Sequence, residues 1–217
     1  LKFTGSGPDL YLEYRVNMEG KQSSEYQMDI HLKMVASPAT GMGRSEMVMN
    51  MPVVGEMRMV TLTNATKPLH MTLLNERKKQ YSVIDLSEID DVESDESYTV
   101  TKLGEEKLHG LHCIHSKAVN EDGQAFELWT TTEVPGYEKM VDLYSKSQQM
   151  GSGDLWKKMQ EAGVAGFMVK LKVDTKGGTS VMELTEMKNM EAPESLFQIP
   201  AGYEEKEGRW VKRFMRR

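Results

Sequence analysis

The chain has 217 residues and a mass of 24.6 kDa, is 39% hydrophobic and 28% charged, and carries a formal net charge of −6 at a mean hydropathy of −0.53. A chain of this length hides roughly 70% of the surface its unfolded form exposes, so it folds without disulfides or a structural metal; its single cysteine, Cys113, excludes a disulfide framework and a four-cysteine zinc site. The negative charge argues against a general nucleic-acid binder, and no apolar run approaches the ~20 residues that a spanning helix needs.

Period-two alternation dominates the chain and predicts half-buried strands. Leu10–Met18 is the first, followed by Glu25–Met34, whose Tyr26, Met28, Ile30, Leu32 and Met34 share one face. Ser45–Met51 and Glu56–Thr63 form the next pair, and they carry much of an unusual total of 18 methionines. Pairing Met49 with Met57 would gather Met47, Met49, Met51, Met57 and Met59 on one surface. Pairing Met49 with Arg58 would split them, because a one-residue slip flips every side chain. Such thioethers fill cores, make adaptable apolar surfaces or bind copper(I), and the sequence leaves all three readings open.

Leu69–Leu74 and Gln80–Leu86 follow, with Asn75–Lys79 as their turn. Ser87–Ser97 is rich in acids but lacks calcium-loop spacing, so it reads as a solvated linker or flap. Tyr98–Leu103, Leu108–Val119 and Ala125–Thr131 resume strand character, and Asn120–Gly123 is a hairpin turn. Helical spacing replaces alternation at Tyr137–Met150 (Met140, Val141, Leu143, Tyr144) and at Asp154–Ala162 (Leu155, Trp156, Met159), with Gly151–Gly153 between them. Phe167–Asp174 and Thr179–Met187 are the last long strands.

The sum is a mainly β, α+β fold: a large curved antiparallel sheet of about ten strands in meander order, a half-barrel with two helices capping its concave face. We read residues 1–208 as a single domain and 209–217 as a basic tail. The first residue, Leu1, follows no basic and apolar leader; removal of an upstream leader leaves such a start, as does simple trimming.

His109, His112, Cys113 and His115 are the densest set of metal-ligand types. On an extended strand His109 and Cys113 stand ~13 Å apart, too far for one ion. Cys113 and His115 are then the only pair able to share a metal, with His31 or His70 needed to complete it; a core cysteine is the plainer reading. No G-x-S-x-G, Walker, G-x-G-x-x-G or H-E-x-x-H pattern is present, which predicts a protein that is not an enzyme and needs no cofactor. Asn64-Ala65-Thr66 matches the glycosylation sequon, a frequent chance match.

The stretch 209–217 holds five basic residues, two aromatics (Trp210, Phe214) and no acid; without those five of the 27 basic residues, 22 remain against 33 acidic, a net −11. Arg209–Arg217 suits an anionic membrane surface or an acidic protein. The plainer alternative is a frayed terminus lying on the protein's own acidic body, since nine residues make a marginal helix.

Thr101–Cys113, with Gly104, Gly110 and Cys113 in G-x5-G-x2-C spacing, resembles the core of a bacterial domain-of-unknown-function family, number 4412. Glu127-Leu128-Trp129-Thr130-Thr131 is similar to that family's E-x-W-x-T strand, and Lys79–Leu86 and Leu196–Tyr203 resemble its remaining pattern. The likeness covers roughly Leu10 to Tyr203. It implies an exported bacterial protein, periplasmic or outer-membrane associated, with a fold similar to the LolA, LolB and LppX-type lipoprotein carriers, whose concave sheet receives acyl chains. It transfers no functional residue.

The expected function is therefore non-enzymatic binding of an apolar ligand, a lipid or a lipoprotein acyl chain. The contact residues would be Tyr26, Met28, Ile30, Leu32, Met47, Met49, Met57 and Met59, with Trp156 on the helical lid. The alternatives are an envelope copper- or zinc-handling protein using Met and His, and an assembly module without a small ligand.

Overall fold

The structure is a computed structural model that describes residues 5–20, 28–51, 55–64, 70–85, 97–134, 137–138, 153–175 and 178–206. The alternating segments pair into one sheet. Its strands are β1 (Asp9–Gly20), β2 (Met28–Ser37), β3 (Met42–Met51), β4 (Gly55–Asn64), β5 (His70–Asn75) and β6 (Gln80–Asp85), then β7 (Tyr98–Leu108), β8 (Leu111–Asn120), β9 (Ala125–Thr131), β10 (Phe167–Thr175), β11 (Gly178–Met190) and the short β12 (Glu204–Glu205). Helix α1 (Gly153–Glu161) stands where the second predicted helix was placed. The first predicted helix, Tyr137–Met150, lies outside the described residues apart from positions 137 and 138.

The 12 strands run in the order β12-β6-β5-β4-β3-β2-β1-β11-β10-β9-β8-β7. The mainly β, curved antiparallel architecture matches the expectation, but the single meander does not. Two meanders, β1–β6 and β7–β11, join where β1 pairs with β11 from Asp9↔Met190 to Gly20↔Gly178. The short loops that betray hairpin neighbours carry no trace of this long-range pairing. β12 adds a twelfth strand, parallel to β6.

The topology requires curvature. β6 and β7 are consecutive in sequence yet ten strand positions apart, and Asp85 and Tyr98 lie at opposite ends of the strands. On a flat sheet ten spacings amount to ~48 Å. The 13 residues from Asp85 to Tyr98 reach ~43–47 Å when fully extended, before any lengthwise offset is covered. Only a curled sheet brings the two points within reach.

Cross-strand partners share a face, so the register assigns faces across the sheet. Leu128 is opposite Leu171, Leu171 opposite Met182, Met182 opposite Val16, Val16 opposite Ile30, Ile30 opposite Met49 and Met49 opposite Met57. At one end of this face α1 packs Leu155 and Met159, with Val164 after it, against Tyr98, Ala118 and Leu128. Leu10, Leu12, Leu184 and Met187 are buried around the central seam.

At the other end the opposite face is covered. The chain after β11 passes over β3–β6, where Tyr203 packs on Val60, Leu62, Leu74 and Tyr81. The Arg44 guanidinium donates to the Leu196 carbonyl (3.5 Å), and the Ser82 hydroxyl donates to the Lys206 carbonyl (2.7 Å).

One strand boundary also differs from expectation. The turn between β7 and β8 is His109-Gly110, with φ of 54° and 87°, the pattern of a tight hairpin turn. The expected gap at 104–107 lies within β7, where the register shifts between Lys102 and Gly104.

The seam supplies a test of this packing. Leu184 is fully buried between β1 and β10, so Leu184→Ala is expected to cost about 2–5 kcal/mol. Urea unfolding should show a lower midpoint with an unchanged slope; a wild-type midpoint would show that the seam is not part of the core.

Candidate functional site

The β3–β4 hairpin sets Met47 opposite Met59 and Met49 opposite Met57, the register that collects the thioethers on one face. β2 extends the surface, with Leu32 opposite Met47 and Ile30 opposite Met49. Ile30 is buried, Leu32, Met47, Met49 and Met59 are half-buried, and Met57 is 43% exposed. The other face of β4 is different. Val60 is 0% and Leu62 6% exposed, because the C-terminal segment covers them. The methionines thus occupy the less covered side of their own strand. Their thioethers are soft, flexible and without donors, so this surface suits an apolar guest of variable shape.

Of the remaining predicted contacts, Tyr26 and the Met28 side chain lie outside the described residues. Trp156 is not brought to the methionines. It is half-buried where α1 packs over β7–β9, at the far end of the same face. The tail Arg209–Arg217, the acidic residues 87–96 and two residues of the Asn64-Ala65-Thr66 sequon also lie outside the described residues.

Cys113 and His115 share a face of β8, as alternation requires, but each is otherwise engaged. Cys113 is 1% exposed; burial pushes its thiol above the ordinary range, helped by the carboxylates of Glu133 and Glu106. The ring of His115 stacks on Trp129 with centroids 4.1 Å apart, and its Nε2 lies 2.9 Å from Glu127 Oε2. His109 does not sit on an extended strand, as the spacing suggested; it occupies the turn, where its Nε2 is 2.7 Å from Glu183 Oε1. Among the described residues no three His, Cys, Asp or Glu side chains converge on a possible ion.

Sequence reasoning missed the lattice around His115. The Trp129 indole N–H donates to Glu106 Oε1, and Lys170 Nζ sits 4.8 Å from the Trp129 ring centroid. Lys172 Nζ bridges Glu127 (3.1 Å) and Asp174 (3.3 Å). Burial pushes the Glu127 carboxyl up, but hydrogen bonds from Lys172 and His115 outweigh it and hold the group below the ordinary value of 4.5. Glu127 and Trp129 are the Glu and Trp of the E-x-W-x-T strand, so their i, i+2 spacing was the available signal; the partners on β7, β8 and β10 were not visible without the register. The lattice is a cross-strand brace whose charges answer one another.

The family model described as "Domain of unknown function (DUF4412)" matches residues 15–203. The chain belongs to the DUF4412 family. No curated protein matches it. Among solved structures, an uncharacterized conserved protein from Thermus thermophilus is similar, with a TM-score of 0.52 and 12% identity over 91% of this chain and 90% of that one. LprF from Mycobacterium bovis gives 0.38 and 11% identity over 89% of each chain. A putative outer membrane lipoprotein-sorting protein domain from Vibrio parahaemolyticus gives 0.32 and 10% identity over 99% and 94%. The first likeness shows a shared fold alone, and the other two are too loose to carry an argument.

The depressed Glu127 pKa has a definite sign. Its stabilisation is full above the unfolded value of about 4.5 and is lost as pH falls through the lower folded value. Glu127→Gln should therefore be less stable than wild type at neutral pH, with the gap closing below about 4.5. Thermal unfolding across that range checks this, and a pH-independent gap would show that the Lys172 and His115 contacts do not set the titration.

Proposed function

We propose that this protein is a non-enzymatic cell-envelope protein that holds an apolar ligand, an acyl chain of a lipid or lipoprotein, against the methionine-lined face of β2–β4. The register of the β3–β4 hairpin carries this reading: it places Met47, Met49, Met57 and Met59 beside Leu32 and Ile30 on the face that the C-terminal segment does not cover. In this reading residues 1–208 are one binding domain, and α1 with Trp156 bounds the far end of the face. Family membership and the curved sheet support an exported carrier, since the resemblance noted in the sequence implies both.

The energetics suit the proposal. Each buried methylene contributes ~0.8 kcal/mol, so ten of them supply ~8 kcal/mol from which the costs of association and ordering are subtracted, and longer chains supply more. Packing against flexible thioethers would favour chain length over headgroup identity. The polar side chains described above are engaged with one another, as in His115–Glu127 and His109–Glu183, and this favours binding over catalysis.

The test is native mass spectrometry of the protein purified without detergent, followed by displacement of a fluorescent fatty-acid analogue. Met49→Asp with Met57→Asp should weaken probe binding at least about tenfold, because two charges would face the chain. Met57 is 43% exposed and Met49 half-buried, and a retained unfolding midpoint would show that the fold survives the change. Recovery of no lipid, together with equal probe affinity in the variant, would sink the proposal.

A further inference from the structure

The described ionisable side chains of β2, β3 and β4 all stand on one face of the sheet. His31 and Lys33 alternate with Ile30 and Leu32, Arg44 and Glu46 with Met47 and Met49, and Glu56 and Arg58 with Met57 and Met59. The pairing runs through all three strands without a register shift, so the alternation is kept across them. The charges answer one another on their own side, where Arg58 lies 2.8 Å from Glu46. The methionine face is left with neutral side chains only.

On that face Met47 is opposite Met59 and Met49 is opposite Met57. Direct cross-strand partners hold their Cβ atoms about 5 Å apart, and residues two apart along a strand are separated by about 7 Å. Four thioethers therefore rise from a patch of about 5 by 7 Å. Each sulfur sits near the end of an unbranched, flexible chain, so the four can turn toward a common point above the patch. Met57, 43% exposed, leaves that point open to water, while Met47, Met49 and Met59 are half-buried around it. Ile30 and Leu32 bound the patch on the β2 side.

We propose that Met47, Met49, Met57 and Met59 form a binding site for copper(I). Thioether sulfur is a soft, uncharged ligand, and soft ligands select copper(I). Zinc takes thiolate, imidazole or carboxylate, and calcium and magnesium take oxygen; no ionisable group among the described residues of β2–β4 shares this face. A face without counter-charge also favours a monovalent ion over a divalent one, since the cost of desolvating an ion rises with its charge. Apolar cover does not itself call for sulfur, because β2 lines the same face with Ile30 and Leu32. The site stands apart from the acyl-chain reading although both use one surface. An ion held there would charge the face and exclude the chain.

The experiment is anaerobic titration of the full chain with copper(I) against a chromophoric copper(I) chelator, with X-ray absorption of the loaded protein. Wild type should take one ion with sulfur as its only ligand atom. The variant Met47→Leu, Met49→Leu, Met57→Leu and Met59→Leu conserves volume and apolarity, and an unfolding midpoint near that of wild type would show that it folds. Changes outside the ligand shell already cost metal sites roughly 10–100-fold, so loss of the ligands themselves should lower copper(I) affinity at least about 100-fold. Zinc should show no binding that these substitutions remove.

Unchanged copper(I) affinity in the leucine variant, or nitrogen in the coordination shell, would overturn the proposal by placing the ion at Cys113 or the histidines. Binding of the fatty-acid probe in metal-free buffer is a separate readout, and the leucine variant should keep it. Copper(I) should displace the probe from wild type; simultaneous binding would put the ion elsewhere. If wild type takes copper(I) but no probe, the carrier reading alone fails. If it takes the probe but holds copper(I) no better than the leucine variant, the ion site alone fails.

Discussion

The pairing of β1 with β11 is the contact on which the rest of the architecture hangs. Every other antiparallel neighbour in the sheet joins strands that follow one another in the chain, and all of these except β9–β10, which are separated by the α1 excursion, close short loops. The seam instead joins Asp9 to Met190 and runs the whole length of β1. Without it the molecule is two separate meanders, one bearing α1 and the other the methionines. A contact of this sequence separation closes the longest loop in the sheet, so it carries a larger closure cost than any of the hairpins. The register shift between Glu13 and Tyr14 falls within this seam, where an extra residue sharpens the twist that the curled sheet requires.

Once the seam is closed, two pieces among the described residues cover a sheet that has two faces. The helical excursion between β9 and β10 covers one face at the β7–β10 end. The segment after β11 covers the opposite face at the β3–β6 end. Coverage is therefore diagonal, and β4 shows its effect within four residues: Val60 is 0% exposed while Met57 is 43% exposed. Hydrophobic side chains stand on both sides of that strand, and the strap of residues 191–206 determines which side is dry.

Much of this was legible from alternation alone. The strands, the Asn120–Gly123 turn and the helix at 153–161 follow from periods of two and 3.6 with glycine punctuation. Non-local information was not legible. The run Met57-Arg58-Met59-Val60-Thr61-Leu62 is apolar on both parities, so periodicity marks a strand without saying which face is buried. The two methionine registers differed by one residue, and composition around Pro52-Val53-Val54-Gly55 does not choose between them. The gap expected between Leu103 and Leu108 fell too early, because only the pairing of β7 with β8 shows that the turn is His109-Gly110, inside the strand predicted from Leu108. The Trp129–His115–Glu127 lattice spans four strands, so no local spacing could assemble it.

The two edges of this wide sheet are poorly suited to pairing with a further strand. At one edge β12 is two residues long and lies parallel on β6, so it presents little ladder to a newcomer. At the other edge β7 is 11 residues long, but its register breaks at Lys102/Gly104 and its outer half carries Lys102, Glu105, Glu106 and Lys107, all exposed. A bulge and alternating charge both disfavour a flat, continuous partner strand. The same two-residue β12 that blunts the first edge also leads the chain to Lys206 beside the Arg77–Lys79 turn. Edge protection and cover for Val60 and Leu62 are therefore set by one segment, and loosening its hydrogen bonds to Lys79 and Tyr81 would disturb both together.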